Sequence, residues 1–222
     1  MKNLNLALKL KYLHHLKSLG FEYVKPMEEF EIKESFELPS SMASLKSTVS
    51  GCHLCELAKT RKNVVFGEGN ERARLMFVGE GPGETEDKTG RPFVGKAGEL
   101  LTNMIEKAIG IKREDVYIAN IVKCRPPNNR VPTQAEAASC KPYLEKQIEL
   151  INPQIIVALG GTALTHLTGK EQSIMKIRGT LMEYKGAVLI PTFHPSFLLR
   201  NPSAKKEAYA DMLLIKSQLE RV

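Results

Sequence analysis

Much of what a chain of this length could carry is missing from this one. No apolar run approaches the roughly 18 residues that a membrane span needs, so no membrane association is expected. Residues 1–19 alternate leucine with lysine and lack the continuous apolar stretch and small-residue cleavage site of a secretory signal. A cytoplasmic location is the resulting expectation. No internal repeat is visible, and no pattern signals an oligomer, which leaves a monomer as the default. Neither common phosphate-binding signature is present. The glycines at 79, 81 and 83 do not make Gly-x-Gly-x-x-Gly, and no Lys-Ser or Lys-Thr of a P-loop follows them.

What remains is an ordinary globular composition with an uneven charge. The chain has 222 residues, 42% of them hydrophobic and 26% charged, enough for one substantial α/β domain with its own core plus an appendage. The formal net charge is +7, yet residues 1–40 hold six lysines and six glutamates and sum to zero. The excess therefore lies entirely in residues 41–222, and a basic body of that size suits a polyanion, nucleic acid first.

The four cysteines are more informative. Cys52 and Cys55 form a Cys-x-x-Cys, Cys124 follows after 68 intervening residues, and Cys140 after 15 more. In a reducing compartment such a set points to metal rather than to disulfides. Zinc and a 4Fe–4S cluster both take four thiolates, and the spacing alone leaves the two open.

Along the chain, Leu6, Leu10, Leu13 and Leu16 fall at helical spacing before Gly20, and the adjacent His14 and His15 read as a solvated helix face. Serines 40, 41, 44, 47 and 50 mark a linker-like approach to the cysteines. Residues 1–45 are accordingly read as an N-terminal helix and tether, and 46–222 as the main domain. Strands are expected at 74–78, 116–122 and 155–159, a hairpin over 178–190 turning near Lys185-Gly186, and helices over 97–109, from Thr133 towards Leu150, after Gly160-Gly161, and from Ser203. Pro142 should kink or split the second of these. Strands alternating with helices predict an α/β fold with a mainly parallel sheet between helical layers.

The organising stretch is Gly79-Glu80-Gly81-Pro82-Gly83-Glu84-Thr85-Glu86-Asp87. It follows the apolar run 75–78, at the strand end where open α/β sheets bind ligands. Its acids argue against a bound phosphate.

Several ordered motifs together resemble the family 4 uracil-DNA glycosylases, the iron–sulfur branch of that superfamily. They are the stretch just quoted with Gly90-Arg91-Pro92-Phe93-Val94-Gly95; Asn120-Ile121-Val122-Lys123-Cys124-Arg125-Pro126-Pro127; the cysteine spacing; and His194-Pro195-Ser196 followed by Leu199-Arg200. The resemblance covers about residues 46–220. It implies a three-layer αβα fold with a central four-stranded, mainly parallel sheet, a 4Fe–4S cluster on Cys52, Cys55, Cys124 and Cys140, and removal of uracil flipped out of single- or double-stranded DNA.

On that resemblance Phe93 is the platform under uracil, and Asn120 reads O4 and N3–H. His194 donates to O2 as charge develops on the leaving base. Glu80 and Gly81 line the pocket. Glu80 or Glu86 orients water or the ribose, with Glu80 and Asn120 sharing the water-handling role, because the aspartate of better-known superfamily members has no counterpart here. Ser196 and Arg200 belong to the loop that pinches phosphates, and Leu198 or Leu199 is the wedge into the vacated stack. No basic, His-bearing insert lies between Cys124 and Thr133, which favours turnover over a covalent adduct. The alternative function is a non-catalytic DNA-binding module with a structural metal on the cysteines; a shift of base towards hypoxanthine or xanthine is a further variant of the enzyme reading.

Overall fold

The computed structural model of the protein describes residues 2–20 and 38–221, with side chains described from residue 10 onward. The chain divides into two compact units, 1–37 and 38–222. Within the first, helix α1 spans Lys2–Ser18 and ends at Gly20, whose φ of 88° is left-handed; His14 and His15 are exposed. Residues 21–37, with the acidic, proline-interrupted stretch, lie outside the described residues.

The second unit opens on a surprise for the sequence reading. The serine-rich stretch expected as a linker forms helix α2 (Met42–Ser50), capped by Ser41, with Met42, Leu45 and Val49 buried in the core. The serines fall on its outward face, so an apolar spacing of three and four residues outweighs their number.

A short strand β1 (Glu68–Gly69) precedes β2 (Leu75–Gly79). Helix α3 (Glu84–Thr89) follows the glycine loop, and α4 (Lys96–Asn103) continues into a π-helical turn, Met104–Ile109, that stops at left-handed Gly110. Then come β3 (Tyr117–Asn120) and α5 (Gln134–Ile151). Thr133 and Glu136 form a capping box at the start of α5, an arrangement worth about 1 kcal/mol at the cap residue. This helix is not split at Pro142: Cys140, Tyr143, Leu144 and Ile148 are buried on both sides of the proline, and their packing outweighs the missing backbone bond.

β4 (Ile155–Leu159) leads into α6 (Gly161–Thr168) and the single turn α7 (Ile174–Ile177). β5 (Met182–Tyr184) and β6 (Ala187–Thr192) form the expected hairpin, with Lys185 and Gly186 both left-handed, as a tight two-residue turn requires. α8 (Pro195–Arg200) and α9 (Lys205–Leu219) complete the chain.

The sheet has six strands in the order β1-β3-β2-β4-β6-β5. The four inner strands are mutually parallel and correspond to the four-stranded expectation; the short edge strands β1 and β5 pair antiparallel. Only β1, two residues long, was too short to be legible as a strand; β5 is the first arm of the expected hairpin. Met76, Val78, Ala119, Ile156 and Ala158 pack on one face, in a cluster with Leu45, Leu144 and Leu164 of α2, α5 and α6. Phe77, Ile118, Val157 and Ile190 pack on the other with Leu101, Met212 and Ile215 of α4 and α9. Helices on both faces explain why β2 and β4 are uniformly apolar rather than alternating, and why β3 is buried along its whole length. Among the described residues, no helix is long and apolar enough to cross a membrane.

Candidate active site and four-cysteine pocket

Parallel strands bring their carboxyl ends to one edge, and the register fixes which ends meet. Gly79 lies beside Asn120 and Leu159 beside Thr192, so the loops that begin at Glu80, Ile121, Gly160 and Phe193 converge. Between them is a cavity of about 470 Å³. Its lining includes Glu80, Gly81, Glu86, Phe93, Asn120, His194, Ser196 and Arg200, which are all the residues expected at the substrate site.

Phe93 has a φ of 51°, a left-handed conformation that costs a non-glycine residue on the order of 1 kcal/mol or more. The surroundings over-determine it. A carboxylate oxygen of Glu86 accepts the backbone N–H groups of both Val94 and Gly95 at 2.9 Å. Arg113 donates to the Pro92 carbonyl at 2.7 Å, and Arg91 makes a bidentate pair with Glu68. Two glycines make room. A Cβ on Gly79 would sit 2.5 Å from the Phe93 ring and 2.5 Å from Asn120 Oδ1, and one on Gly98 would sit 1.9 Å from the Phe93 carbonyl oxygen. Gly79 is therefore required for space, so that ring and carboxamide can approach the same strand end.

Asn120 is 1% exposed, and its Oδ1 is buried without a hydrogen-bond partner among the described residues. Leaving such a group unpaired costs about 1–3 kcal/mol, so the cavity holds an acceptor in need of a donor. His194 caps α8: its Nδ1 accepts the backbone N–H of Ser196 at 3.1 Å and lies 2.8 Å from the Ser196 hydroxyl. Because a backbone N–H can only donate, Nδ1 carries the lone pair and the ring proton of the neutral form is on Nε2. Burial pushes the His194 pKa down to about 4; Arg200 adds to this push, and Glu86 opposes it. The imidazole is thus neutral at physiological pH and offers Nε2–H to the cavity. Its ring lies 5.7 Å from that of Phe93, between centroids.

The remaining expected residues take distinct positions. Among the described residues, the Glu80 carboxylate makes no hydrogen bond or ion pair, whereas its carbonyl accepts from the Val122 N–H at 3.2 Å. Ser196 is committed to His194. Arg200 is exposed at the rim. Of the two wedge candidates, Leu198 is 1% exposed and packs inside with Phe193, while Leu199 is 42% exposed. Asp87, part of the acidic loop, is buried and holds the Lys62 N–H at 2.9 Å, away from the cavity lining.

Sequence reasoning missed a supporting triad. The buried Asp211 of α9 accepts from Thr192 Oγ1 at 2.6 Å and pairs with Arg178, whose guanidinium lies 5.4 Å from the ring centre of Phe193. Burial raises the Asp211 carboxyl. These residues fix the end of β6 next to His194, and their separation along the chain left no local signal. Asn128 and Asn129, both left-handed, place Asn129 and Arg130 in the lining; two asparagines in a proline-flanked loop were a readable hint. Arg130 is itself paired with Glu136, whose carboxyl is held at about 2 chiefly by that guanidinium.

The four cysteines are free thiols. They line one narrow pocket together with Arg61, Lys123 and Tyr143. Burial pushes Cys140 up to about 11 and Cys124 upward too. Arg61 donates to Cys124 Sγ at 3.4 Å and to the Cys52 carbonyl at 2.7 Å; the Lys123 backbone N–H donates to Cys140 Sγ at 3.4 Å. Among the described residues, no three His, Cys, Asp or Glu side chains gather closely enough to hold a single metal ion.

Comparison with known proteins gives a consistent result. The family model described as the uracil DNA glycosylase superfamily matches residues 66–215. The Type-4 uracil-DNA glycosylase of Thermotoga maritima is 58% identical over 164 residues, which cover 73% of this chain and 85% of that protein. The Type-4 enzymes of Sulfurisphaera tokodaii and Saccharolobus solfataricus are 46% and 47% identical over 184 and 180 residues, covering 79% and 77% of this chain and 84% and 83% of theirs.

Proposed function

The chain belongs to the uracil DNA glycosylase superfamily, and from that membership we propose that it is a monofunctional DNA-repair glycosylase that removes uracil from DNA and leaves an abasic site. The observation that carries the proposal for the site is the unpaired, buried Oδ1 of Asn120. Uracil N3–H is a donor that would satisfy it, while the Asn120 amide donates to O4. Cytosine presents a lone pair at N3 and an amine at C4, so both contacts would fail. Stacking on Phe93 holds the flipped base in the plane that Asn120 reads.

The reaction breaks the bond between C1′ and uracil N1, and the electron pair passes to the base. Charge appearing at O2 meets the Nε2–H of neutral His194, a fixed donor of the kind worth about 10²–10³ in rate. Water oriented by the Glu80 carboxylate adds to C1′, and the proton it loses ends on the uracil anion through solvent, so that an abasic site and neutral uracil result. Ser196 keeps His194 in its tautomer, and Glu86 keeps the Phe93 loop in place. The role of Ser196 thus shifts from phosphate contact to orienting the histidine. Arg200 remains for the backbone, and exposed Leu199, not Leu198, is the wedge.

The four cysteines fit a 4Fe–4S cluster by the chemistry around them. Two cations, Arg61 and Lys123, border the pocket with no carboxylate partner among the described residues, as suits an anionic four-thiolate group. The cluster would serve as a structural brace. We read the protein as cytoplasmic, because thiols kept for a metal group suit a reducing compartment, and as a monomer by default.

The test is release of uracil from labelled oligonucleotides, single-stranded and paired as U·G and U·A, with hot alkali to reveal abasic sites. Breakage after alkali and none before it is expected. Intact strands in every context, from protein carrying its iron, would mean that the chain is a binding module.

A further inference from the structure

Lys123 has no part in the chemistry just described, yet it is one of the largest side chains fully enclosed in the protein, at 1% exposure. Burying an ammonium is costly, and a neutral residue of the same length would be more stable there unless the charge or the donors are used. Four polar contacts hold it in place. Its backbone N–H donates to Cys140 Sγ at 3.4 Å, and its carbonyl accepts the Val65 N–H at 2.8 Å. Its Nζ donates to the Asn120 carbonyl at 2.9 Å and to Gln147 Oε1 at 2.5 Å. Gln147 is itself anchored, donating to the Phe66 carbonyl at 3.0 Å and lying 3.2 Å from the Tyr117 hydroxyl. Gln147 and Cys140 are two turns apart on α5, both on its buried face. One lysine therefore spans the gap between the helix that carries a cysteine of the metal pocket and the strand end that carries the base-reading asparagine.

We propose that Lys123 is a positioning residue that couples the four-cysteine pocket to Asn120, so that the geometry of the cysteine loops sets how well the cavity recognises uracil. The proposal rests on the glycosylase reading of the cavity. Its logic is mechanical. The Asn120 carboxamide must sit flush with a base edge, and its backbone is held from below by an ammonium whose own backbone is tied to Cys140.

The test uses the full chain, purified without oxygen, and compares wild type with Lys123→Met, which keeps length and volume but removes the donors. Three quantities are measured: iron bound per chain, affinity for free uracil, and affinity for DNA containing a stable abasic-site analogue. The expected result is wild-type iron content and unchanged binding of abasic DNA, with uracil affinity lowered about tenfold and the ratio of uracil to cytosine release lowered with it, as for other residues that orient a contacting group. Wild-type uracil affinity in iron-loaded K123M overturns the proposal. Should K123M take up less iron, Gln147→Met is measured the same way. It leaves the cysteines and Lys123 in place but removes the anchor on α5; a smaller loss of uracil affinity supports the coupling and none overturns it. Failure of the wild type itself to bind or release uracil would instead refute the glycosylase reading.

Discussion

The two pockets of this protein are opposites in how they leave their polar groups. The cavity at the carboxyl edge of the sheet is roomy and keeps its key atoms unsatisfied: Asn120 Oδ1 has no partner, Glu80 pairs with nothing described, and His194 presents Nε2–H because Nδ1 is occupied. The cysteine pocket is narrow, and its polar atoms are tied to backbone, sulfur and the Gln147 amide, with two cations that have no carboxylate partner among the described residues. The first arrangement suits a ligand that arrives, reacts and leaves, since open valences are the source of selective binding. The second suits a group that is installed once and stays. The contrast teaches that unsatisfied atoms on rigid elements mark the chemistry, while an uncompensated charge marks the cofactor.

Changes in each pocket should therefore have separable effects. Cys140→Ser is expected to abolish iron binding and lower the melting temperature by many degrees; iron analysis and a thermal melt report it, and full iron retention would remove Cys140 from the ligand set. Asn120→Asp should leave iron untouched while single-turnover uracil release falls about 10²–10³-fold and cytosine release becomes measurable. Unchanged uracil release would take Asn120 out of the site. Gly79→Ala pushes a methyl against Phe93 and Asn120 together, and a displacement of that size should lower uracil release about 10²-fold, again at constant iron. Thr133→Ala removes the α5 cap at a cost of about 1 kcal/mol, which predicts a melting temperature lower by about 2–4 °C and no change in base preference.

The sequence was legible where one residue type has one physical use. Uniformly apolar runs gave the buried parallel strands, the Thr133–Glu136 capping box gave the start of α5, and Lys185-Gly186 gave the hairpin turn. The cavity lining was legible through the family's ordered motifs. Reading failed where several uses compete. Serines that suggested a linker lie on the outside of α2. Pro142 sits within a continuous helix because burial on either side outweighs it. The two-residue edge strand β1 carries too little pattern to see. The tautomer of His194, the clamp of Glu86 on Val94 and Gly95, and the Asp211–Arg178–Thr192 support depend on contacts between distant segments, which no local window contains.

The central claim is that the cavity is set before DNA arrives, with a neutral His194 as the donor to the leaving base. Its most direct test is the pH dependence of single-turnover uracil release by the wild-type protein. A histidine that titrates near 4 predicts a rate independent of pH between about 6 and 8 that declines only as the pH approaches that lower value. A rate that instead falls as pH rises through about 6.5 would show that the imidazolium is the working form, and would contradict the account.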